Sequence, residues 1–525
     1  MAQTDVSSRR CEQASHASDG FSARIISAMR RLSTLLAVTL LFGSGAASGQ
    51  QNEGAVIVRV LPNVSQVSDL IRNWQSLSVA RVPGAAGEKE ATFSIPANED
   101  VTSHSVVYVR MLPPGRYRIA QLSTIDFEAA GGVAWASVTI EREFGLFEVR
   151  KDQLTDLGVI VQADAPGRGK VHLAHDTAAE HPETAEIVKE LAPQAGALLA
   201  NPVLTWLPDT VPAWMPEAMR SVAWSSYGVS SPSALRNGAL FYGSVNGVVY
   251  VARHGETLRR FDVGVRSSID AVLVTEAGDI IAGGEIGVLR ISPDSGRTWR
   301  SIRGNLPFGA VTDLSEWRGK IIATTLRGDD VFVHAAAEGS AEWAQLARYR
   351  MKFHWFTGIR GVRPQSFVRD DKVITFLPSQ RVAVYDLVSG QSADRRTPGG
   401  MQATSVSADG VLRCICAPAI MINAYESRDL GQTWTRSSFG RAMHLPVFRD
   451  AKHGVAFREK PDSAATMVYT EDGGATWLES ITLPYAPDRL FYGRDGETAY
   501  AAFASGEFLL STDDGRRWYS VPIRR

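Results

Sequence analysis

Along most of the chain, apolar and polar positions alternate in short runs closed by Gly, Asp, Asn or Pro. A period of two predicts β-strands with one buried face. Residues 55–61 and 106–112 read this way, and Pro114-Gly115 places a turn before the next strand. Residues 133–140, 147–150 and 157–161 follow, and further strands are expected at 238–243, 248–251, 279–283, 320–324 and 498–501. Helical spacing shows between Pro182 and Pro193, where Glu183, Glu186, Lys189 and Glu190 flank Ile187, Val188 and Leu191. The fold class read from this pattern is all-β.

Superimposed on the alternation is a motif, Ser/Thr-x-Asp-x-Gly-x-Thr-Trp, that occurs four times. It is carried by Ser292, Asp294, Gly296, Thr298 and Trp299, then by Ser427, Asp429, Gly431, Thr433 and Trp434. Thr470, Asp472, Gly474, Thr476 and Trp477 form the third. Ser511, Asp513, Gly515 and Trp518 form the fourth, with Arg517 in the Thr position. The Asp-to-Asp steps are 135, 43 and 41 residues, and 135 is three steps of 45. A fixed step of that size is the mark of a blade-by-blade architecture.

Each motif is turn chemistry. Asp hydrogen-bonds its own backbone, Gly takes a positive φ, and Thr-Trp opens the next strand with a large apolar anchor. A buried Trp is expected to find a partner for its indole N–H. Calcium binding or carboxylate catalysis would need the aspartates to converge, and aspartates one repeat apart around a ring do not. They are expected to be structural.

The motif resembles the Asp-box of the bacterial neuraminidase repeat, found in sialidases, sortilin-type receptors, xyloglucan-degrading glycosidases and the photosystem II assembly and stability factor. The resemblance covers residues 217–525 and implies a β-propeller with the motif between the third and fourth strands of a blade. Counting back from the motif tryptophans gives marks near 518, 477, 434, 390, 343, 299 and 255, hence seven blades. Asp386 with Gly390, and Gly339 with Trp343, are degenerate forms of the motif. The expected architecture is an N-terminal β-sandwich followed by a seven-bladed β-propeller with Asp-box turns. The Leu-Pro-Pro-Gly-Arg-Tyr-Arg segment from Leu112 to Arg118 resembles a turn of prealbumin-like sandwich domains.

Four segments are expected. Residues 1–49 hold an upstream segment and a signal peptide: Met29-Arg30-Arg31, an apolar run from Leu32 to Phe42, and small residues through Ala47 and Gly49. Met29 is an alternative start to Met1. Residues 50–163 are the sandwich, 164–216 a Pro-rich linker with one short helix, and 217–525 the propeller. The apolar run is too short for a membrane span, so the mature chain is expected to carry no integral membrane segment and to be periplasmic or extracellular.

Composition narrows the function classes. Formal net charge is −1, so no global field attracts nucleic acid. Of three cysteines, Cys414 and Cys416 would share one strand face, and a buried reduced pair is expected. His172, His175 and His181 lie close together in the linker, where solvated loop histidines are a better reading than a metal site. No metal and no cofactor is expected.

The clearest departure from the repeat is the run from Arg348 to Arg363, where Arg348, Arg350, Lys352, Trp355 and Arg360 interleave bases with aromatics. Such a surface stacks on sugars and pairs with acids; plain strand alternation, with bases outside and aromatics inside, is the better reading. Sialidases carry an Arg-Ile-Pro or Arg-Leu-Pro at the start of the propeller, and this chain has neither there. Candidate acids Asp270, Glu276, Glu285, Asp329, Asp370 and Asp371 are too many to single out a glycosidase pair. The expectation is therefore an exported, non-catalytic propeller protein with a protein or glycan partner; the alternative is a glycoside hydrolase of sialidase-like fold.

Overall fold

The computed structural model describes Thr4–Asp5 and residues 53–521, apart from 62–73, 85–88, 99, 104, 128–132, 141–143, 165–169, 176–181, 216–218, 220–232, 235–238, 245, 254–255, 352–363, 379, 418–422, 438–442, 460–463, 488, 494–495 and 504–507. Seven four-stranded antiparallel sheets follow one another in the chain, each in the order first-second-third-fourth. They are the blades of a β-propeller. Blade 1 runs through Ser233–Ala234, Leu240–Gly243, Val248–Ala252 and Arg259–Asp262; blade 2 through Ile269–Val274, Ile280–Gly284, Leu289–Ser292 and Arg300–Ser301. Blade 3 comprises Ala310–Trp317, Lys320–Arg327, Asp330–Ala337 and Ala344–Arg350, and blade 4 Gln365–Arg369, Lys372–Leu377, Arg381–Asp386 and Ser392–Arg396. Blade 5 comprises Gly400–Val406, Leu412–Ala417, Asn423–Ser427 and Thr435–Ser437. Blade 6 comprises His444–Phe448, Gly454–Glu459, Ala465–Thr470 and Leu478–Leu483; blade 7 ends the ring with Arg489–Tyr492, Ala499–Ala502, Phe508–Ser511 and Tyr519–Val521.

Second strands lie in the apolar cores of the blades: Ile280–Gly284 and Ala499–Ala502, built of Ile, Tyr and small residues, are buried throughout. Among the described strands no blade borrows a strand from another, and among the described residues blades 1 and 7 meet through a shared side-chain core. Leu240, Tyr242 and Tyr250 of blade 1 share one core with Tyr500, Phe508 and Leu510 of blade 7. The Tyr242 and Phe508 rings lie 4.4 Å apart between centroids.

Ahead of the propeller, strands from Gly54–Leu61 to Lys170–His175 form one hydrogen-bonded path, joined to the second half of the region through Ala91–Asn98. Leu154–Asp164 runs parallel to Gly54–Leu61. Val56, Val58, Val60, Leu77, Val79, Tyr117, Ile119 and Val159 share its core. The path extends past residue 163, and the Pro-rich segment after it is packed rather than loose. Its helix is α1, Thr184–Leu191, between the two prolines that cannot continue it.

The outer face of this region is continuous with the propeller. Ala55, Ile57, Val107, Leu154, Ile187 and Val188 share a core with Val249, Val263, Val265, Ile269 and Val272 of blades 1 and 2. The N-terminal region thus sits on the end of the ring that carries the blade-to-blade connections, over blades 1 to 3. We call this the covered end, and the opposite one the turn end.

Two expectations are corrected. Cys414 and Cys416 are buried but joined as a disulfide, because residues two apart on a strand share a face and their Cα atoms stand 5.7 Å apart. His175 is no solvated loop residue. It lies on strand Lys170–His175, fully buried, stacked on Trp206 at 4.0 Å with Nε2 2.9 Å from the Phe144 carbonyl. His172 belongs to the same strand, and His181 lies outside the described residues.

Candidate functional site

The four motifs form the turns between third and fourth strands of blades 2, 5, 6 and 7. In blade 2, Ser292 Oγ donates to Asp294 Oδ1 (2.8 Å) and accepts from the Gly296 N–H (2.8 Å). Asp294 accepts from the Thr298 N–H (2.8 Å) and hydroxyl (2.7 Å). The same bonds recur at Asp429 and Asp472. In the fourth copy Arg517 substitutes for Thr by giving both its N–H (2.9 Å) and its Nε–H (2.7 Å) to Asp513. Bonds from Thr298 and Ser292 hold Asp294 at about 2, and Thr433 and Thr476 do the same for Asp429 and Asp472. Each carboxylate is engaged inside its own turn.

The turn is tighter than a single positive φ requires. Gly296 stands at φ 90°, and Ser295 before it at 60°; Leu430 and Asp514 repeat the second value closely, at 60° and 57°. The motif glycine has a second reason for being glycine. A Cβ on Gly296 would come within 2.4 Å of the Phe261 ring in blade 1, and one on Gly515 within 2.5 Å of Val455 in blade 6. With Gly431, whose Cβ would come within 2.6 Å of Val382 in blade 4, the motifs of blades 2, 5 and 7 are therefore also contacts with the preceding blade. Trp518 is buried, while Trp299, Trp434 and Trp477 are half-buried. Contrary to expectation, the indole N–H of all four is enclosed without a hydrogen-bond partner among the described residues. The degenerate Trp343 does find one, the Ile302 carbonyl at 2.8 Å.

At the covered end, two groups of buried polar side chains join the N-terminal region to the ring. Arg59 Nη1 lies 3.5 Å from Glu183 Oε1 and donates to the Arg266 carbonyl (3.1 Å) and to Ser267 Oγ (3.0 Å). Glu183, just before α1, also accepts from the Ser267 hydroxyl (2.9 Å) and the Arg266 N–H. Burial alone would raise the Glu183 carboxyl, but Arg59 and these hydrogen bonds outweigh it and hold the group below its ordinary value. In the second group, Glu285 accepts the N–H groups of Ser103 and Ser105 (both 2.8 Å) and the Ser105 hydroxyl (2.6 Å). The Ser103 hydroxyl reaches both Asp270 and Glu285. Asp100 and Val101 carbonyls accept from Gly328 (2.7 Å) and Ile286 (3.0 Å). Sequence reasoning named Asp270 and Glu285 among its acids but missed their partners Ser103 and Ser105 and the Arg59–Glu183–Ser267 group. The one signal available was Arg59 inside the otherwise apolar strand Gly54–Leu61.

The acids singled out in the sequence are divided between the two ends. Asp270, Glu285 and Asp329 lie at the covered end; Glu276, Asp370 and Asp371 lie at the turn end, in first-to-second-strand turns. There Asp371 accepts from Trp317 Nε1 (3.0 Å) and pairs with Arg318 (2.8 Å). Of the interleaved basic stretch, Arg348 and Arg350 lie on the outermost strand of blade 3, exposed, while the alternating Ala347 and Tyr349 are buried. Arg348 is already paired with Asp330 (2.7 Å). Lys352, Trp355 and Arg360 lie outside the described residues. Among the described residues no cluster of His, Cys, Asp or Glu has the arrangement of a metal site.

The inner strands, which line the central channel of a propeller, differ from blade to blade. Those of blades 2 and 3 are buried almost throughout. In blade 4 Gln365–Arg369 has no buried residue, in blade 6 His444 is exposed with Leu445 and Val447 half-buried, and in blade 7 only Leu490 is buried. Arg369 is reachable by solvent yet enclosed enough for desolvation to pull its guanidinium below the ordinary value, with Asp370 opposing. The accessible part of the wall mixes polar, aromatic and apolar groups, a composition suited to recognition.

No family model matches the chain. No curated protein matches it either. Among solved structures it is similar to the computationally designed Ika8 protein, with 14% identity, 56% of this chain and 86% of that one covered, and a TM-score of 0.39. It is similar to YCF48 bound to D1 peptide at 13% identity, covering 55% and 92% with a TM-score of 0.40. To YCF48 from Cyanidioschyzon merolae it is similar at 17% identity, covering 54% and 93% with a TM-score of 0.38. Likeness at this level extends to the propeller and carries nothing about function.

Proposed function

We propose that this chain is an exported, non-catalytic propeller protein that binds a protein or glycan partner in the cell envelope or outside the cell. Its contact surface is the accessible part of the channel wall on blades 4, 6 and 7. What supports this is the division of the wall: polar and aromatic groups stay open on those blades, whereas the polar side chains at blade 2 already satisfy the N-terminal region. Export is supported by the basic residues, apolar run and small residues between Met29 and Gly49. We read the four turns as Asp-boxes, on the Ser/Thr-Asp-Gly hydrogen bonds and their place between third and fourth strands.

A second reading, a glycoside hydrolase, has one observation in its favour. Asp270 and Glu285 share the Ser103 hydroxyl, so two carboxylates stand close together, as retaining chemistry needs. Both acids are buried beneath the N-terminal region, and catalysis would require that region to lift away.

The deciding experiment takes the chain from Gln50, purified, and assays it against aryl glycosides and sialosides, with crosslinking to envelope proteins and glycans in parallel. The binding reading expects turnover no higher than in a heat-denatured sample, and crosslinks that Gln365→Ala with His444→Ala abolishes. Turnover lost in Asp270→Asn or Glu285→Gln would overturn it in favour of the hydrolase.

A further inference from the structure

Charge is not evenly spread over the blades. The fourth strands, which form the outer edge of the ring, carry eight arginines and two aspartates in blades 1 to 5. In blades 6 and 7 the same strands carry no arginine, one glutamate, and the exposed apolar residues Leu478, Ile481 and Tyr519. The whole chain has a formal net charge of −1, so this is a local concentration of positive charge.

Several of these arginines are uncommitted to acids. Arg259, Arg300, Arg350, Arg396 and Arg436 are exposed, one on each of the five blades, and none forms an ion pair among the described residues. What they do contact orients them without neutralising them. Arg259 lies over the Phe261 ring at 5.2 Å, Arg300 donates to the Gly339 carbonyl at 3.1 Å, and Arg436 donates to Asn423 Oδ1 at 2.6 Å. Others in the set are used internally: Arg348 on Asp330, and Arg395 on the Asp429 and Leu430 carbonyls.

From this we infer that the outer edge of blades 1 to 5 binds a linear anionic glycan, carboxylated or sulfated. This rests on the binding reading above and deepens its glycan branch by naming the chemistry and a second surface. Guanidinium forks match carboxylate and sulfate oxygens two at a time. The shape of the surface selects among polyanions. Positive charge distributed around a circumference meets a flat anionic membrane at only one or two blades. Duplex DNA, with a persistence length of about 150 bp, is too stiff to follow a ring of this size. A flexible polysaccharide can follow the edge from blade to blade and stop where blades 6 and 7 turn apolar.

The test measures binding of the full mature chain to immobilised polygalacturonate at 50 and 200 mM NaCl. Dextran, sheared duplex DNA and phosphatidylglycerol vesicles are run alongside. The variant carries Arg300→Glu, Arg350→Glu, Arg396→Glu and Arg436→Glu; a second carries Gln at the same four positions, in case charge reversal disturbs folding. Lys320→Glu with Lys452→Glu, exposed cations at the turn end, is the control. Polygalacturonate should bind more tightly than DNA or vesicles and lose affinity with salt. The Glu variant should weaken it about tenfold or more at low salt and flatten the salt slope by about one per contact removed. The Gln variant should follow in the same direction, and the control should not. Failure of the wild type to bind, preference for DNA or vesicles, or variants equal to the control would overturn the inference. Crosslinks at the channel wall that persist in the four-arginine variants would in those cases leave the binding reading intact.

Discussion

Blades 1 to 3 and blades 4 to 7 solve the same packing problem by different means. In the first group the ring is held by another part of the chain: α1, Arg59, Ser103 and Ser105 reach buried partners on blade 2, while Glu186 and Glu190 pair with Arg303 (3.1 Å) and Arg327 (3.7 Å). Backbones also meet directly there. A Cβ on Gly284 would stand 1.9 Å from the Ser268 carbonyl, and one on Gly243 2.0 Å from that of Ile269. In the second group the motifs at Asp429 and Asp513 bind blade to blade, and the channel wall stays open on blades 4, 6 and 7. The difference teaches that one sheet architecture can be a docking platform on one side and a recognition surface on the other. Which it becomes depends on whether neighbouring segments or local turns consume the polar groups.

Breaking the covered side should have the largest effect. Glu183→Ala leaves Arg59 buried without its acid and is expected to cost about 4 kcal/mol of stability by urea denaturation. Arg59→Met with Glu183→Leu should recover most of it. Because the folded Glu183 is depressed, its contribution is present above the ordinary carboxylate range and is lost as pH falls below it. Next comes Gly284→Ala, expected to cost about 3 kcal/mol because the obstacle is backbone, which cannot swing aside. A similar glycine on the open side, Gly496, has nothing within 4 Å of its Cβ position, so Gly496→Ala should suffer only from its φ of 70°.

A third prediction uses pH. His334 is buried in blade 3, and desolvation pulls its imidazole down to about 4. The unfolded chain takes up that proton first. Stability should be full above about pH 6.5 and decline as pH falls toward 4, by an amount of order 2 kcal/mol. Thermal melts of His334→Gln should lose less over that interval than wild type. A smaller effect tests the motif turns: Ser295→Asn suits φ 60° better than Ser does, and should add about 0.5 kcal/mol. Smallest of all, Gln365→Ala with His444→Ala on the open wall, which removes only the bond from the Thr404 hydroxyl and the stacking on Phe457, should lower the melting temperature by no more than about 3 degrees. A large loss there would mean that the open wall is scaffold after all.

Much of this was legible in advance because it is local. An Asp, a Gly and two hydroxyls within eight positions build one turn, so spacing alone announced the blades, and Ile187, Val188 and the flanking prolines announced α1. The docking was not legible. Arg59 meets Glu183 and Ser267, and Ser103 meets Glu285, across long stretches of chain, and nothing local distinguishes those serines from loop serines. His175 misled for the same reason: it closes its strand in a segment rich in His and Pro, and nothing nearby in sequence announces Trp206, its neighbour in space. The open wall was invisible because alternation reports which face of a strand is buried within a blade, not how far one blade stands from the next.

The side-chain seam between blades 1 and 7 has a consequence for how the protein is made. Each blade is contiguous in the chain, so each can form as it leaves the ribosome, blades 1 to 3 seated on the N-terminal region already behind them. Until blade 7 has emerged, Tyr242 and Tyr250 remain without Tyr500 and Phe508. Until blade 7 docks, the nascent ring is an open arc with an aromatic flank, and its closure waits on the seventh blade.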